Sequence, residues 1–213
     1  MNSFLNQNGK PILMAMVKAI QDNKAYLGEV DGLIGDGDHG MNMNKGFTLF
    51  ETRFGGKEFS FSEGLFNLGN ILFSEIGGSM GPIYGTILMD ASDVGNEYEE
   101  IGVKELAAML AAGLAGLQEI VQAQVGDKTL VDTLSPAVDA LKQAAEAGTP
   151  FAEALTNMKN AAAAGRDSTK DMVAKFGRSS RLGERSRGVL DAGATSCCII
   201  LTAMADAMLA LIA

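Results

Sequence analysis

The sequence predicts a single all-α domain of about eight helices over residues 1–213, and three observations carry that expectation. Apolar residues recur at helical spacing through nearly the whole chain. Runs that alternate with a period of two are hard to find. Methionine (12 residues) and alanine are plentiful, tryptophan is absent and aromatics are only 6%, a composition that favours helices and adaptable packing. With 47% hydrophobic residues in 213, there is ample material for one buried core.

Taken in order, Ile12, Leu13, Met16, Val17 and Ile20 form a stripe after Pro11, and this first helix is expected to continue to about Val30. The loop IGDGDHG, residues 34–40, follows. A second helix from Asn42 carries Phe47, Phe50 and Phe54 and stops at Gly55-Gly56. A third starts near Ser62 and runs to Ile76, where Gly77-Gly78 ends it. A fourth carries Ile83, Ile87 and Leu88. After a polar loop around residues 92–100 comes a long helix from Val103 to about Val125. Gly126-Asp127 breaks it, and the next spans about Leu130 to Ala147. Thr149-Pro150 signals another start, for a helix reaching about Lys175. A loop rich in Gly, Arg and Ser leads to the last helix, near Ala194. Short connections make antiparallel neighbours.

The formal net charge is −9. That argues against a nucleic-acid partner and against an anionic membrane surface. A protein this acidic can still bind a polyphosphate, provided metal ions or helix N-termini neutralise it locally. Cys197 and Cys198 are adjacent, have no CxxC partner and sit in an apolar run, so they read as inert core thiols. MNSFLNQNGK has no apolar signal core. The C-terminal run from Cys197 to Ala213 is short and contains Asp206, which suits a core helix better than a membrane span. The expected location is the cytoplasm.

Three stretches could carry chemistry. GDGDHG spells GxGxxG through Gly35, Gly37 and Gly40, but a helix rather than a strand precedes it, so the dinucleotide reading fails. An EF-hand fails too, because Met41 stands where glycine is required. What remains is a tight turn that projects Asp36 and Asp38, with Asp31 one to two helical turns earlier. Three hard oxygen donors suit Mg²⁺. On spacing alone, a solvated acidic turn with an Asp helix cap is an equal alternative. His39, the only histidine, lies inside this loop. The second stretch, GGSMGPIYG from Gly77 to Gly85, leads into a helix whose N-terminal amides could hold an anion; a small-residue helix–helix turn is as good a reading. The third, Gly177 to Ser196, gathers Arg178, Arg181, Arg185 and Arg187 in an acidic chain. Arginine forks suit phosphate or carboxylate, and a solvated basic loop is the alternative. Asp191 can cap the last helix.

Together these stretches, with GDKTLVD at residues 126–132, resemble one family: the nucleotide-binding L subunit, or L domain, of dihydroxyacetone kinases. The family patterns run approximately GDGDHGTNM, GGxSGxLYG, GDKTMLD and GRASYLGERSxGHxDPGA. Here they read GDGDHGMNM, GGSMGPIYG, GDKTLVD and GRSSRLGERSRGVLDAGA. The four lie in the same order and span the chain from about Asp31 to the last helix.

The resemblance implies an up-and-down, barrel-like bundle of eight helices with ADP or ATP across one end, a tightly bound coenzyme held through two Mg²⁺ ions. By motif position, Asp31, Asp36 and Asp38 are the metal ligands. Asp36, Asp38 and Arg178 carry the catalytic role, which is positioning and charge neutralisation. His39, Gly40, Met41 and Asn42, together with Ser79 and Met80, would contact phosphates, as would Arg178. Leu130 and Val121 would wall the adenine, and Asp191, Ala192 and Gly193 would border the nucleotide. Met80 stands in place of the family serine, Met41 of a threonine, Val189 of a histidine and Ala192 of a proline.

In the family a partner K subunit holds dihydroxyacetone covalently on a histidine, and the L subunit supplies the γ-phosphoryl group. In one branch, bound ADP is rephosphorylated by a phosphohistidine protein of the phosphotransferase system; in the other, ATP exchanges freely. A stand-alone chain of this length resembles the first branch. The expected partners are therefore a K subunit and a phosphohistidine donor, with a homodimer left open. The competing class is a non-catalytic nucleotide-binding regulator, motivated by Met80, Val189 and Ala192.

Overall fold

The regular structure is almost entirely helical in the computed structural model, which describes residues 2–213. Nine α-helices run in order among these residues: α1 (Lys10–Asp22), α2 (Lys24–Ile34), α3 (His39–Phe54), α4 (Phe61–Glu75), α5 (Met80–Gly95), α6 (Val103–Ile120), α7 (Val131–Ala147), α8 (Phe151–Ser168) and α9 (Ala192–Ile212). Two three-residue strands, β1 (Ser3–Leu5) and β2 (Glu100–Gly102), pair antiparallel with Phe4 opposite Ile101. They are too short for a period of two to register in the sequence.

The expected all-α class holds, with corrections at several boundaries. The first helix is two. Asn23 turns its side chain back to donate to Ala19 O at 2.8 Å, and its φ of −101° and ψ of 9° leave the helical region, so the ladder breaks between α1 and α2. The residue that caps α4 is Ser60, not Ser62. Ser60 Oγ accepts from Glu63 N at 3.1 Å while Glu63 Oε2 accepts from Ser60 N at 2.7 Å, a reciprocal capping box. Three residues before Asn42, α3 already begins, at His39. The long helix expected to Val125 stops at Ile120, and α8 stops at Ser168 rather than Lys175. In both places side-chain bonds, described below, hold the chain in a loop.

The packing of neighbours follows the chain. α3 packs on α4, α4 on α5, and so on to α8 on α9, while α1 touches both α3 and α9. Tracing contacts from helix to helix therefore returns to the start. Ile12, Met16, Phe47, Phe50, Leu68, Leu110, Leu134, Leu155, Leu201 and Met204 belong to one continuous buried cluster. By length and composition α9 could cross a membrane, but more than half of its most apolar stretch is buried and Asp206 near its end is paired with Lys159. A core helix accounts for both observations. Cys197 and Cys198 are buried there, and burial pushes both thiols up from their ordinary range, which makes them poor nucleophiles.

Asn6 fastens one end of the bundle. Its Nδ2 donates to Gly95 O at 3.0 Å and Tyr98 O at 2.9 Å, and its Oδ1 accepts from Ser62 N at 3.1 Å. This buried amide thus ties the N-terminal segment to the start of α4 and the end of α5. Asn6→Ala orphans several of those groups and is expected to cost about 2 kcal/mol. The urea midpoint should fall with little change in slope; an unchanged midpoint would refute the assignment.

Candidate functional site

A cavity of about 480 Å³ opens at the other end of the bundle. It is lined from the connections after α2, α4, α6 and α8, through Gly35, Asp36 and Asp38, then Ser79, then Val121 to Ala123 with Lys128 to Leu130, and finally Phe176 to Ser179 with Asp191. Every second connection of the chain reaches it.

The acidic loop forms one wall. Where α2 ends, Gly35 N donates to Asp31 O at 2.6 Å, and a Cβ on Gly35 would lie 2.2 Å from Asp31 Oδ1. The Asp31 carboxylate occupies the space a side chain would take. Carboxylate oxygens of Asp31, Asp36 and Asp38 lie within 4.8 Å of one another. At that spacing three negative charges repel, and a hard divalent cation among them relieves the repulsion. A capping role for Asp38 fails: it stands at the N-cap position of α3, yet its side chain makes no cap bond. Asp36 is paired with Arg178, which brings a guanidinium into the cluster. The donor set therefore fits Mg²⁺ or a similar ion that keeps part of its water shell.

Of the four residues expected at the start of α3, only His39 lines the cavity. Gly40 serves packing, since a Cβ there would meet Lys24 O at 2.1 Å where α3 crosses the start of α2. Met41 is 61% exposed, and neither it nor Asn42 reaches the cavity lining. His39 is buried. Its backbone N–H donates to Asp31 Oδ2 at 3.2 Å, and Nε2 meets Ser196 Oγ at 2.8 Å. Burial lowers its pKa to about 4 against the opposing pull of Asp31, so the ring is neutral near pH 7.

Ser79 and Met80 line the cavity at the start of α5. The Ser79 side chain makes no cap bond, so its hydroxyl is open to a ligand although Met80 has taken the place of the family serine. Leu130 and Val121 also line the cavity, as do Ala192 and Gly193. Of the four arginines only Arg178 does. Arg187 instead binds Glu184 and Asp171 O.

Sequence reasoning missed the working part of GDKTLVD. Asp132 accepts from Gly126 N at 2.6 Å and Thr129 N at 2.7 Å, and Asp127 accepts from Gln124 N at 2.8 Å. These bonds hold the loop after α6 open as a cavity wall. Lys128 adopts a left-handed φ of 62° and is 1% exposed. Its ammonium donates to Thr169 O and Val189 O, joining this loop to the turn after α8 and to the arginine loop. The Val189 bond is a backbone one, so the change from the family histidine leaves it intact. A lysine between Gly-Asp and Thr reads as solvated, and nothing in the spacing signals that it will be buried on two distant carbonyls.

Asp191 caps α9, accepting from Ala194 N at 2.7 Å. Desolvation raises its pKa from 3.8 to about 6, although Lys128 and the cap bond pull the other way. Raised in the folded state, this group favours folding at low pH, and the contribution is lost as pH rises through about 6. Asparagine caps equally well. Asp191→Asn is expected to gain stability on the wild type between pH 4 and pH 7; a constant difference in Tm across that range would contradict it.

The DAK2 domain matches residues 33–206. The chain is 37% identical over 186 residues to the "PEP-dependent dihydroxyacetone kinase 1, ADP-binding subunit DhaL" of Listeria innocua, covering 87% of this chain and 88% of that protein. It is 36% identical over 183 residues to the "PEP-dependent dihydroxyacetone kinase, ADP-binding subunit DhaL" of Escherichia coli, covering 84% and 86%. Among solved structures, the dihydroxyacetone kinase from C. freundii in complex with AMP-PNP and Mg²⁺ superposes with a TM-score of 0.71 at 21% identity. The match covers 96% of this chain but 34% of that one, so this chain is the counterpart of about a third of that enzyme.

Proposed function

The chain belongs to the DAK2 domain family, and from that premise we propose that it is the ADP-binding, phosphoryl-transferring subunit of a dihydroxyacetone kinase. The observation that carries this reading is the convergence of Asp31, Asp36 and Asp38 with Arg178 on one cavity. Asp31, Asp36 and Asp38 would hold Mg²⁺, two ions by the resemblance, and the metal would neutralise phosphate charge and orient the transferred group. Leu130 and Val121 offer apolar walls to the adenine. Ser79, His39 and the N-terminus of α5 offer donors to phosphate oxygens. Arg178, released from Asp36, would neutralise charge on the transferred phosphoryl group. Ala192 and Gly193 border the ligand at the start of α9.

The coverage of separate DhaL subunits, 88% and 86% of their lengths, supports a single domain over residues 1–213. It also supports the branch in which ADP stays bound as a coenzyme and a phosphohistidine protein of the phosphotransferase system recharges it. The acceptor would be dihydroxyacetone on a partner K subunit, in the cytoplasm. The closed order of helix neighbours supports the barrel-like arrangement.

Purified chain mixed with a K subunit, a phosphohistidine donor and dihydroxyacetone should form dihydroxyacetone phosphate without consuming free ATP. ADP should survive gel filtration. No phosphorylated product while nucleotide stays bound would favour a regulatory protein, and rapid exchange with free ATP would favour the other kinase branch.

A further inference from the structure

Behind the cavity runs a buried polar chain with a direction of its own. His39 Nε2 lies 2.8 Å from Ser196 Oγ, which lies 2.7 Å from the Tyr84 hydroxyl. Tyr84 and Ser196 are buried. His39 Nδ1 has no partner among the described residues, yet no fully buried side-chain nitrogen or oxygen among them lacks one. Nδ1 is therefore the open nitrogen of a ring that lines the cavity.

Counting protons orients the chain. Burial keeps Tyr84 a phenol by pushing its pKa well above the ordinary value. Its other acceptor, Gly193 O, is 3.4 Å away, so its proton goes to Ser196 Oγ. The Ser196 proton can go to Nε2 at 2.8 Å or to Gly193 O at 3.1 Å. The shorter contact favours Nε2.

We propose that Tyr84 and Ser196 are positioning residues that hold His39 in the tautomer with its proton on Nδ1, so that the ring offers the cavity a neutral N–H donor. The acceptor it faces is a phosphate oxygen; this last point rests on the proposed function, whereas the tautomer does not. A neutral donor can grip a phosphate without adding a positive charge that would compete with a metal ion at Asp31.

Because His39 is the only histidine, untagged protein labelled with ¹⁵N-histidine gives one imidazole pattern in two-bond ¹H–¹⁵N spectra. Wild type, with and without Mg²⁺ and ADP, should show a protonated Nδ1 and a bare Nε2. Ser196→Ala and Tyr84→Phe should move the proton toward Nε2 and lower kcat for phosphoryl transfer about tenfold with little change in KM. Ser196→Thr should restore both. A wild-type proton on Nε2, an imidazolium, or an Nδ1–H pattern unmoved by either substitution would overturn the proposal. Tyr84→Phe keeps the side-chain volume and serves if Ser196→Ala does not fold. The expected tautomer pattern with no phosphoryl transfer in any variant would overturn the proposed function alone.

Discussion

Asp36→Ala is expected to weaken Mg²⁺-dependent nucleotide binding by ~100-fold, the upper end of the loss that outer partners of metal ligands produce. The chain carries a net charge of −9, and the cavity wall presents three carboxylates whose oxygens lie within 4.8 Å of one another. A polyphosphate is repelled from such a wall unless a cation intervenes. Removing Asp36 takes away one hard ligand and leaves Arg178 without its partner. Arg178 then adds a free positive charge, so simple charge counting predicts tighter binding, whereas metal coordination predicts weaker. The two predictions have opposite signs, and isothermal titration with ADP with and without Mg²⁺ separates them. Unchanged affinity in Mg²⁺ would remove the metal assignment. Chelating the metal from wild-type protein should reproduce the Asp36→Ala result.

The second large effect is on stability. Lys128→Met is expected to cost about 3 kcal/mol, a fall in Tm of roughly 6–12 °C for a chain of this size. Methionine fills the volume but donates nothing, so Thr169 O and Val189 O both lose their donor. Asp191 also loses the neighbouring positive charge that draws its pKa down. All three groups lie where the loops after α6 and α8 meet, so nucleotide affinity should fall together with Tm. Scanning calorimetry showing a shift below about 2 °C would mean that water or another donor replaces the ammonium.

Much of this was legible in the sequence, for identifiable reasons. The stripes in α1, α3 and α5 announce helices because one buried face repeats at helical spacing. The acidic loop was half legible: glycine-flanked aspartates suit a metal site and a solvated turn equally, and the resemblance of four ordered motifs, not the spacing, favoured the metal. Asn23 was not: a side chain that returns to Ala19 O ends a helix without glycine or proline to mark it. Nor was the stop of α6 at Ile120, since Val121, Ala123 and Val125 continue an apolar pattern. What ends it is Asp127 and Asp132 binding backbone N–H groups, and such bonds depend on geometry that spacing does not encode. The GDKTLVD stretch offered a clue in its two aspartates, but the role of Lys128 depends on carbonyls more than forty residues away along the chain. Met41 and Asn42 have the spacing of a motif, while the path of α3 turns them from the cavity.

The alternation of connections has an evolutionary consequence. Parity along the chain sorts loops by their tolerance to change in length. The connections after α2, α4, α6 and α8 share one cavity, so an insertion in any of them disturbs a common ligand. Those after α3 and α7 stand apart from it, and only local turn geometry resists an insertion there. Homologues should therefore differ in length at 55–57 and 148–149 more freely than at 35–38 or 126–129. A second domain grafted at either of the first two places would leave the nucleotide end as it is.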